Sequence, residues 1–173
     1  MENQAKSKSI ILNYGLYLGL VGIFVHLIFY ATGSLLEKSS IVGVIGIAAM
    51  ISFIVLGIRK FKAQNNNYLS FGEALKVGVG IAVVSALVSA IYTLIFTNFI
   101  EPSFQEQAIE LQKQVWIDAG LSDDEIEKSE AMANKFSSPA ITIPVSIVIS
   151  AFFGFIFSAI AGAIMKHTEE DQY

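Results

Sequence analysis

Four long stretches of mostly apolar residues divide this chain, and they hold almost no charge. They run over about 10–31, 41–58, 74–100 and 140–165. A helix needs about 20 such residues to cross the hydrocarbon core of a bilayer, where every backbone N–H and C=O group must be satisfied within the segment. Each stretch is therefore predicted to be a transmembrane helix. The fold class that follows is all-α, a four-helix transmembrane bundle that forms one membrane domain over residues 1–173.

Composition excludes several classes of protein. Only 15% of the residues are charged, against roughly 25% in soluble domains. The chain has no cysteine, which excludes disulfides, iron–sulfur clusters and thiolate zinc sites. Its basic residues cluster only at Arg59, Lys60 and Lys62, so a nucleic-acid surface is not expected. The first stretch is too long for the apolar part of a signal peptide, so we expect a membrane span there rather than a cleaved leader.

The distribution of Lys and Arg predicts the orientation, because cytoplasmic segments carry an excess of these residues. The side that holds both termini and residues 59–76 has seven in 35 residues, and the opposite side has four in about 49. The seven are Lys6, Lys8, Arg59, Lys60, Lys62, Lys76 and Lys166. Both termini are therefore predicted to be cytoplasmic, with residues 101–139 outside.

Small residues recur at helical spacing within the spans. They permit close approach of helices in lipid, where no hydrophobic drive brings helices together. The first span has Gly15, Gly19 and Gly22; the third has Gly78, Ala82, Ala86 and Ala90; the fourth has Ser146, Ser150, Gly154, Ser158 and Gly162. We interpret these ridges as helix-packing surfaces, with the lining of a substrate path as the alternative.

Two capping boxes predict where helices begin. In this motif a Ser at the N-cap and a Glu three residues later satisfy each other's backbone N–H groups. Ser70 and Glu73 predict that the third span begins near Phe71, and Ser122 and Glu125 predict a second helix in the 101–139 segment.

The segment 101–139, which we call the interspan segment, carries nine acidic residues and three lysines. Pro102 is typical of a first helical turn, Gly120 of a helix end, and the second helix is expected to end near Phe136. The sequence thus predicts a helical hairpin outside the membrane. It serves as a structural cap, as a docking surface for a protein partner at residues 103–136, or as a cation site, although no EF-hand pattern is present.

One ionisable residue lies well inside a predicted span, and such residues are functional candidates because burying them is costly. This residue is His26, four residues beyond Gly22. Its expected partners are Ser89 and Tyr92, and its role is that of a satisfied structural histidine, a proton relay or a ligand contact. His167 lies in the C-terminal tail, so no metal site and no cofactor are predicted.

No catalytic motif is present, so the chain is not expected to be an enzyme. The leading hypothesis is a non-enzymatic scaffold or docking module that acts through the acidic hairpin. The alternative is a small oligomeric transporter or channel that uses the buried face around His26. The expected partners are the lipid bilayer, a protein at the hairpin and further copies of the chain.

Three segments carry a family resemblance: 68–78 at the entry to the third span, 99–104 at its exit, and 120–127 within the interspan segment. With these segments the chain resembles the bacterial membrane family known as domain of unknown function 4199. The resemblance implies a four-span architecture in the bacterial inner (cytoplasmic) membrane. It implies no activity, substrate or functional residue.

Overall fold

The computed structural model describes residues 2–167, with side chains from Ser7 onward. Within this range the chain forms six α-helices: α1 (Glu2–Ala31), α2 (Ser39–Gln64), α3 (Phe71–Ile95), α4 (Phe104–Asp118), α5 (Asp123–Phe136) and α6 (Pro139–Met165). A π-helical turn, Phe96–Ile100, continues α3. The side chain of Lys6 and the tail from residue 168 onward, both counted in the charge bias, lie outside the described residues.

Four of these helices are long and apolar enough to cross a membrane. They are Ser7–Ala31, Ser39–Gln64, Phe71–Ile100 and Pro139–Met165. The all-α fold class is therefore confirmed, and the number of helices that could span a membrane is the predicted four. The helix α2 runs to Gln64, beyond the predicted end of the apolar span at residue 58, so the basic cluster at 59–62 is helical. The long stems of Lys and Arg are good helix formers, and the buried Phe61 gives this extra turn an apolar contact.

The chain divides into two compact units. The first comprises the residues up to Ser89 together with those from Ile147 onward, and the second comprises Ala90–Ser146. The third and fourth spans each run from one unit into the other. That both units form one membrane domain stays a prediction.

In the first unit, α1 and α6 pack against α3 with regular registers. The pairs between α1 and α3 are Ile11–Gly80, Gly15–Val84 and Gly19–Val88, and those between α6 and α3 are Gly154–Ala82, Ser158–Gly78 and Gly162–Ala74. Along the pairs of α1 with α3, the residue numbers of both helices rise together. Along the pairs of α6 with α3, the number on α6 rises as the number on α3 falls. Hence α1 runs parallel to α3, and α6 runs antiparallel to it, as alternating membrane crossings require.

Part of the buried core of the first unit lies where α2 ends and α3 begins. Phe61, Leu69 and Ala74 are buried there in one cluster with Ile10 from the start of α1. Leu69 and Ala74 have no exposed surface. The turn between α2 and α3 is therefore part of a packed core.

In the second unit, α4 and α5 form what we call the interspan pair. Lys113 of α4 and Glu130 of α5 form an ion pair of 3.2 Å, and the Gln105 side-chain amide donates to the carbonyl of Ser137. From the first of these contacts to the second, the residue number falls along α4 and rises toward the end of α5, so the two helices run antiparallel.

The turn between α4 and α5 follows the predicted pattern. Gly120 has a φ of +79°, a conformation that glycine adopts without strain. Its N–H donates to the Ile117 carbonyl, and the N–H of Leu121 donates to the Trp116 carbonyl. This Schellman motif ends α4. The placement of Pro102 was wrong: it lies in a turn before α4, whose N-cap is Ser103, because the Phe104 N–H donates to the Glu101 carbonyl and closes that turn.

Candidate functional site

His26 lies on α1 and is half-buried. The register of α1 on α3 places Gly19 against Val88, so Ser89 lies one residue past that level and His26 seven. At about 1.5 Å of rise per residue, six residues separate the two side chains by about 9 Å along the helix axes. The structure therefore does not bring Ser89 to the level of His26.

Tyr92, the other expected partner, lies in the second unit and belongs to a row of aromatic rings there. Its ring lies 5.7 Å from that of Phe96, and Phe96 meets Phe104 edge to face at 5.4 Å. Phe96 is almost fully buried. This row joins the end of the third span to the start of α4, and no local pattern in the sequence indicates that contact.

Most glycines of the small-residue ridges lie against neighbouring helices. An added Cβ would lie 2.6 Å from the Val84 Cβ at Gly15 and 2.5 Å from the Ala82 Cβ at Gly154. These separations are shorter than van der Waals contact, so only a residue without a side chain fits at these positions. Gly19 and Gly162 make similar approaches, to Val88 and to Ala74. Helix contacts thus occupy these faces, which favours the packing interpretation over a substrate path.

Three other ridge residues differ from these glycines. Gly22 is exposed, and an added Cβ there would meet nothing within 4 Å, so no neighbouring helix covers this position closely. Ser158 is fully buried, and its hydroxyl donates to the Gly154 carbonyl at 2.6 Å within its own helix. Ser150 is half-buried on α6.

The end of α6 is fastened to the turn between α2 and α3, and we call this arrangement the α6 clasp. Leu69 and His167 exchange two backbone hydrogen bonds, of 2.8 and 2.9 Å. The Tyr68 and His167 rings stack at 5.7 Å with an interplanar angle of 7°. The Lys62 ammonium donates to the Met165 carbonyl at 2.8 Å, where the helix dipole favours a cation.

The turn within the clasp has its own local order. Asn66 and Asn67 have φ values of 51° and 65°, and Asn tolerates this left-handed region better than most residues. The Asn65 side-chain amide donates to the Tyr68 carbonyl at 3.1 Å. The run of asparagines indicates a turn in the sequence. No local pattern indicates that Leu69, at the end of this turn, pairs with His167.

The interspan pair has one acidic flank, which lies on the side of the Lys113–Glu130 ion pair. Residues three or seven positions before Lys113 or Glu130 lie on the same face of the helix as that residue. On α4 these are Glu106 and Glu110, and on α5 they are Asp123 and Glu127. All four are exposed, with the apolar Ile117 beside them.

Hydrogen bonds set the electrostatics of the pair. The Glu125 carboxylate accepts from the Ser122 amide at 2.9 Å and from its hydroxyl at 2.7 Å. These two bonds hold the pKa of Glu125 below its ordinary value. The hydrogen bond and the charge of Glu130 raise the pKa of Lys113. Both interactions fix charged side chains in defined positions on the pair.

No group of three or more His, Cys, Asp or Glu side chains within the described part of the chain is arranged to hold a metal ion. In a comparison with known families, one model matches residues 13–167, and its description is "Protein of unknown function (DUF4199)". No curated protein and no solved structure matches the chain.

Proposed function

This chain belongs to the DUF4199 family of proteins of unknown function, and from that premise we propose a non-enzymatic membrane module. Its four apolar helices are those of a multi-pass membrane protein. In this proposal it docks a protein partner through the acidic flank of the interspan pair. Its setting is the inner membrane of a bacterium, with both termini in the cytoplasm.

Two observations support this topology. The α6 clasp lies at the turn between α2 and α3, so the end of the fourth span and that turn share one side. The parallel run of α1 and the antiparallel run of α6 along α3 fit alternating crossings. Because Lys and Arg concentrate on the clasp side, that side is assigned to the cytoplasm and the interspan pair to the opposite one.

The single observation that carries the docking proposal is an acidic flank that is both exposed and rigidly held. A capping box, a Schellman motif and an ion pair order the two helices. Neither a lipid-embedded segment nor a disordered acidic tail has this combination. A flank of this charge favours a partner with a basic surface, since complementary charge steers encounter and fixes register.

The experiment is photo-crosslinking in native membranes with a flank variant and a matched control. The flank variant carries Glu110→Gln and Glu127→Gln. The control carries Asp118→Asn and Asp124→Asn, which remove the same charge from the same pair but away from the flank. We expect one crosslinked partner with the wild-type chain and the control, and its loss with the flank variant and at high salt.

Two results would contradict the proposal. One is a partner that crosslinks equally to both variants. The other is a chain lacking residues 103–136 that keeps the same crosslinked partners and the same phenotype as the wild type.

The half-buried His26, an ionisable group within a span, favours one alternative function. In it, copies of the chain assemble into a small transporter or channel with His26 on the translocation path. His26→Ala would then alter flux in proteoliposomes between about pH 5 and 8, where histidine titrates. Wild-type flux from this variant across that range would remove a proton-relay role.

A further inference from the structure

Apolar side chains line the flank of the interspan pair opposite the acidic one. Two residues span about 200° around an α-helix, so side chains two positions apart point in nearly opposite directions. Leu111 and Val115 each lie two positions from Lys113, and Met132 lies two positions from Glu130. Because Lys113 and Glu130 meet on the acidic flank, these three point away from it.

Phe136, one turn beyond Met132, extends the same row. All four side chains are exposed. We call the row of Leu111, Val115, Met132 and Phe136 the apolar flank. The interspan pair is thus amphipathic, with an apolar surface on one flank and exposed carboxylates on the other.

Short connections hold this pair at the ends of two membrane spans. Only residues 101–103 separate the π-helical turn from α4, and only Ser137 and Ser138 separate α5 from α6. Three fully extended residues reach about 10 Å. The contact between Phe96 and Phe104 and the Gln105–Ser137 hydrogen bond fasten the base of the pair still more closely. The base therefore stays at the membrane surface.

The apolar flank runs along the pair rather than only at its base. Phe136 is next to the base, whereas Val115 lies 11 residues into α4, about 16 Å further along its axis. If the pair stood upright, most of this row would face water. If the pair lay flat, all four side chains would reach the boundary between headgroups and acyl chains, as in interfacial amphipathic helices.

We propose that the interspan pair is an interfacial element whose apolar flank binds the surface of the lipid bilayer. The occupant is lipid because the bilayer lies within reach of both tethered ends, whereas a second copy must first associate. In this position the acidic flank faces the aqueous phase. The proposal concerns the opposite flank from the docking proposal and stands without it.

Trp116 provides a direct probe, because it is the only tryptophan of the chain. It lies 12 residues beyond Phe104, about 18 Å along α4, so its distance from the lipid differs between a flat and an upright pair. The full chain is reconstituted in phosphatidylcholine vesicles with and without brominated acyl chains, which quench tryptophan at short range. We expect strong quenching of Trp116 and a blue-shifted emission.

A matched pair of substitutions tests which flank is responsible. Val115 and Ile117 are exposed by 57% and 49%, lie two residues apart and point to opposite flanks. Val115→Glu places a carboxylate in the proposed lipid contact. It should shift the equilibrium toward the upright pair by about tenfold or more, with loss of quenching. Ile117→Glu should leave quenching at the wild-type level.

Three results would overturn the proposal. One is wild-type Trp116 that brominated lipid does not quench. Another is equal quenching in the Val115→Glu and Ile117→Glu proteins. The last uses the absence of native cysteine: efficient disulfide formation between two copies of a Val115→Cys protein in vesicles would show that a second copy covers the flank.

Discussion

The turn between α2 and α3 and the turn between α4 and α5 carry the same Ser-x-x-Glu pattern in different surroundings. The local geometry is alike: the Ser amide donates to the Glu carboxylate at 2.8 Å for Ser70 and at 2.9 Å for Ser122. The preceding leucines differ. Leu69 is fully buried, whereas Leu121 is half-buried.

The difference shows that a capping box sets where a helix begins but not how much that helix start contributes to the fold. The box at Ser70 lies beside the α6 clasp, so its backbone is joined to the end of the fourth span. The box at Ser122 lies at the exposed tip of the interspan pair. We therefore expect damage at the first turn to spread through the first unit and damage at the second to stay local.

The largest expected effect comes from the two leucines. Leu69→Ala should lower the free energy of unfolding by about 2–5 kcal/mol, because it leaves a cavity in a fully buried site. Leu121→Ala should cost roughly 1 kcal/mol, since part of that side chain is already in water. Both are measured by unfolding in mixed micelles with a denaturing detergent. Equal losses would mean that the clasp region contributes no more than the exposed tip.

A smaller effect is expected from the capping serines. Ser70→Ala and Ser122→Ala should each cost about 1 kcal/mol, which corresponds to about fivefold faster amide exchange where the opening is local. Hydrogen exchange with mass spectrometry should place the Ser122→Ala effect in the first turn of α5. The Ser70→Ala effect should extend to the backbone of Leu69 and His167. If the Ser70→Ala effect stopped at the first turn of α3, the two turns would be energetically equivalent.

The local features of the fold could be predicted from the sequence. Span positions follow from runs of apolar residues, and helix ends follow from motifs contained within four or five residues. The starts at Phe71 and after Ser122, the end at Phe136 and the turn at Gly120 are all confirmed. Each depends on contacts between neighbours in the chain, which the sequence displays directly.

Features that depend on the register between helices could not be predicted. Leu69 and His167 are 98 positions apart, and their pairing requires the end of α2, the start of α3 and the end of α6 to lie at one level. Likewise, Gly19 meets Val88, whereas an added Cβ at Gly22 would meet nothing within 4 Å. Spacing along one helix identifies a face, but it does not show how far the neighbouring helix covers that face.

The smallest expected effect is a pH dependence of the exposed turn. The bonds from Ser122 lower the pKa of Glu125 from its ordinary value of 4.5. Because the folded-state pKa is lowered, the ionised Glu125 carboxylate stabilises α5 fully above pH 4.5. This stabilisation is lost as the pH falls through the folded-state pKa. Amide protection in the first turn of α5, corrected for intrinsic exchange, should therefore fall between neutral pH and about pH 3. Glu125→Gln should flatten this dependence, whereas protection that rose on acidification would show that Glu125 is not held by the cap.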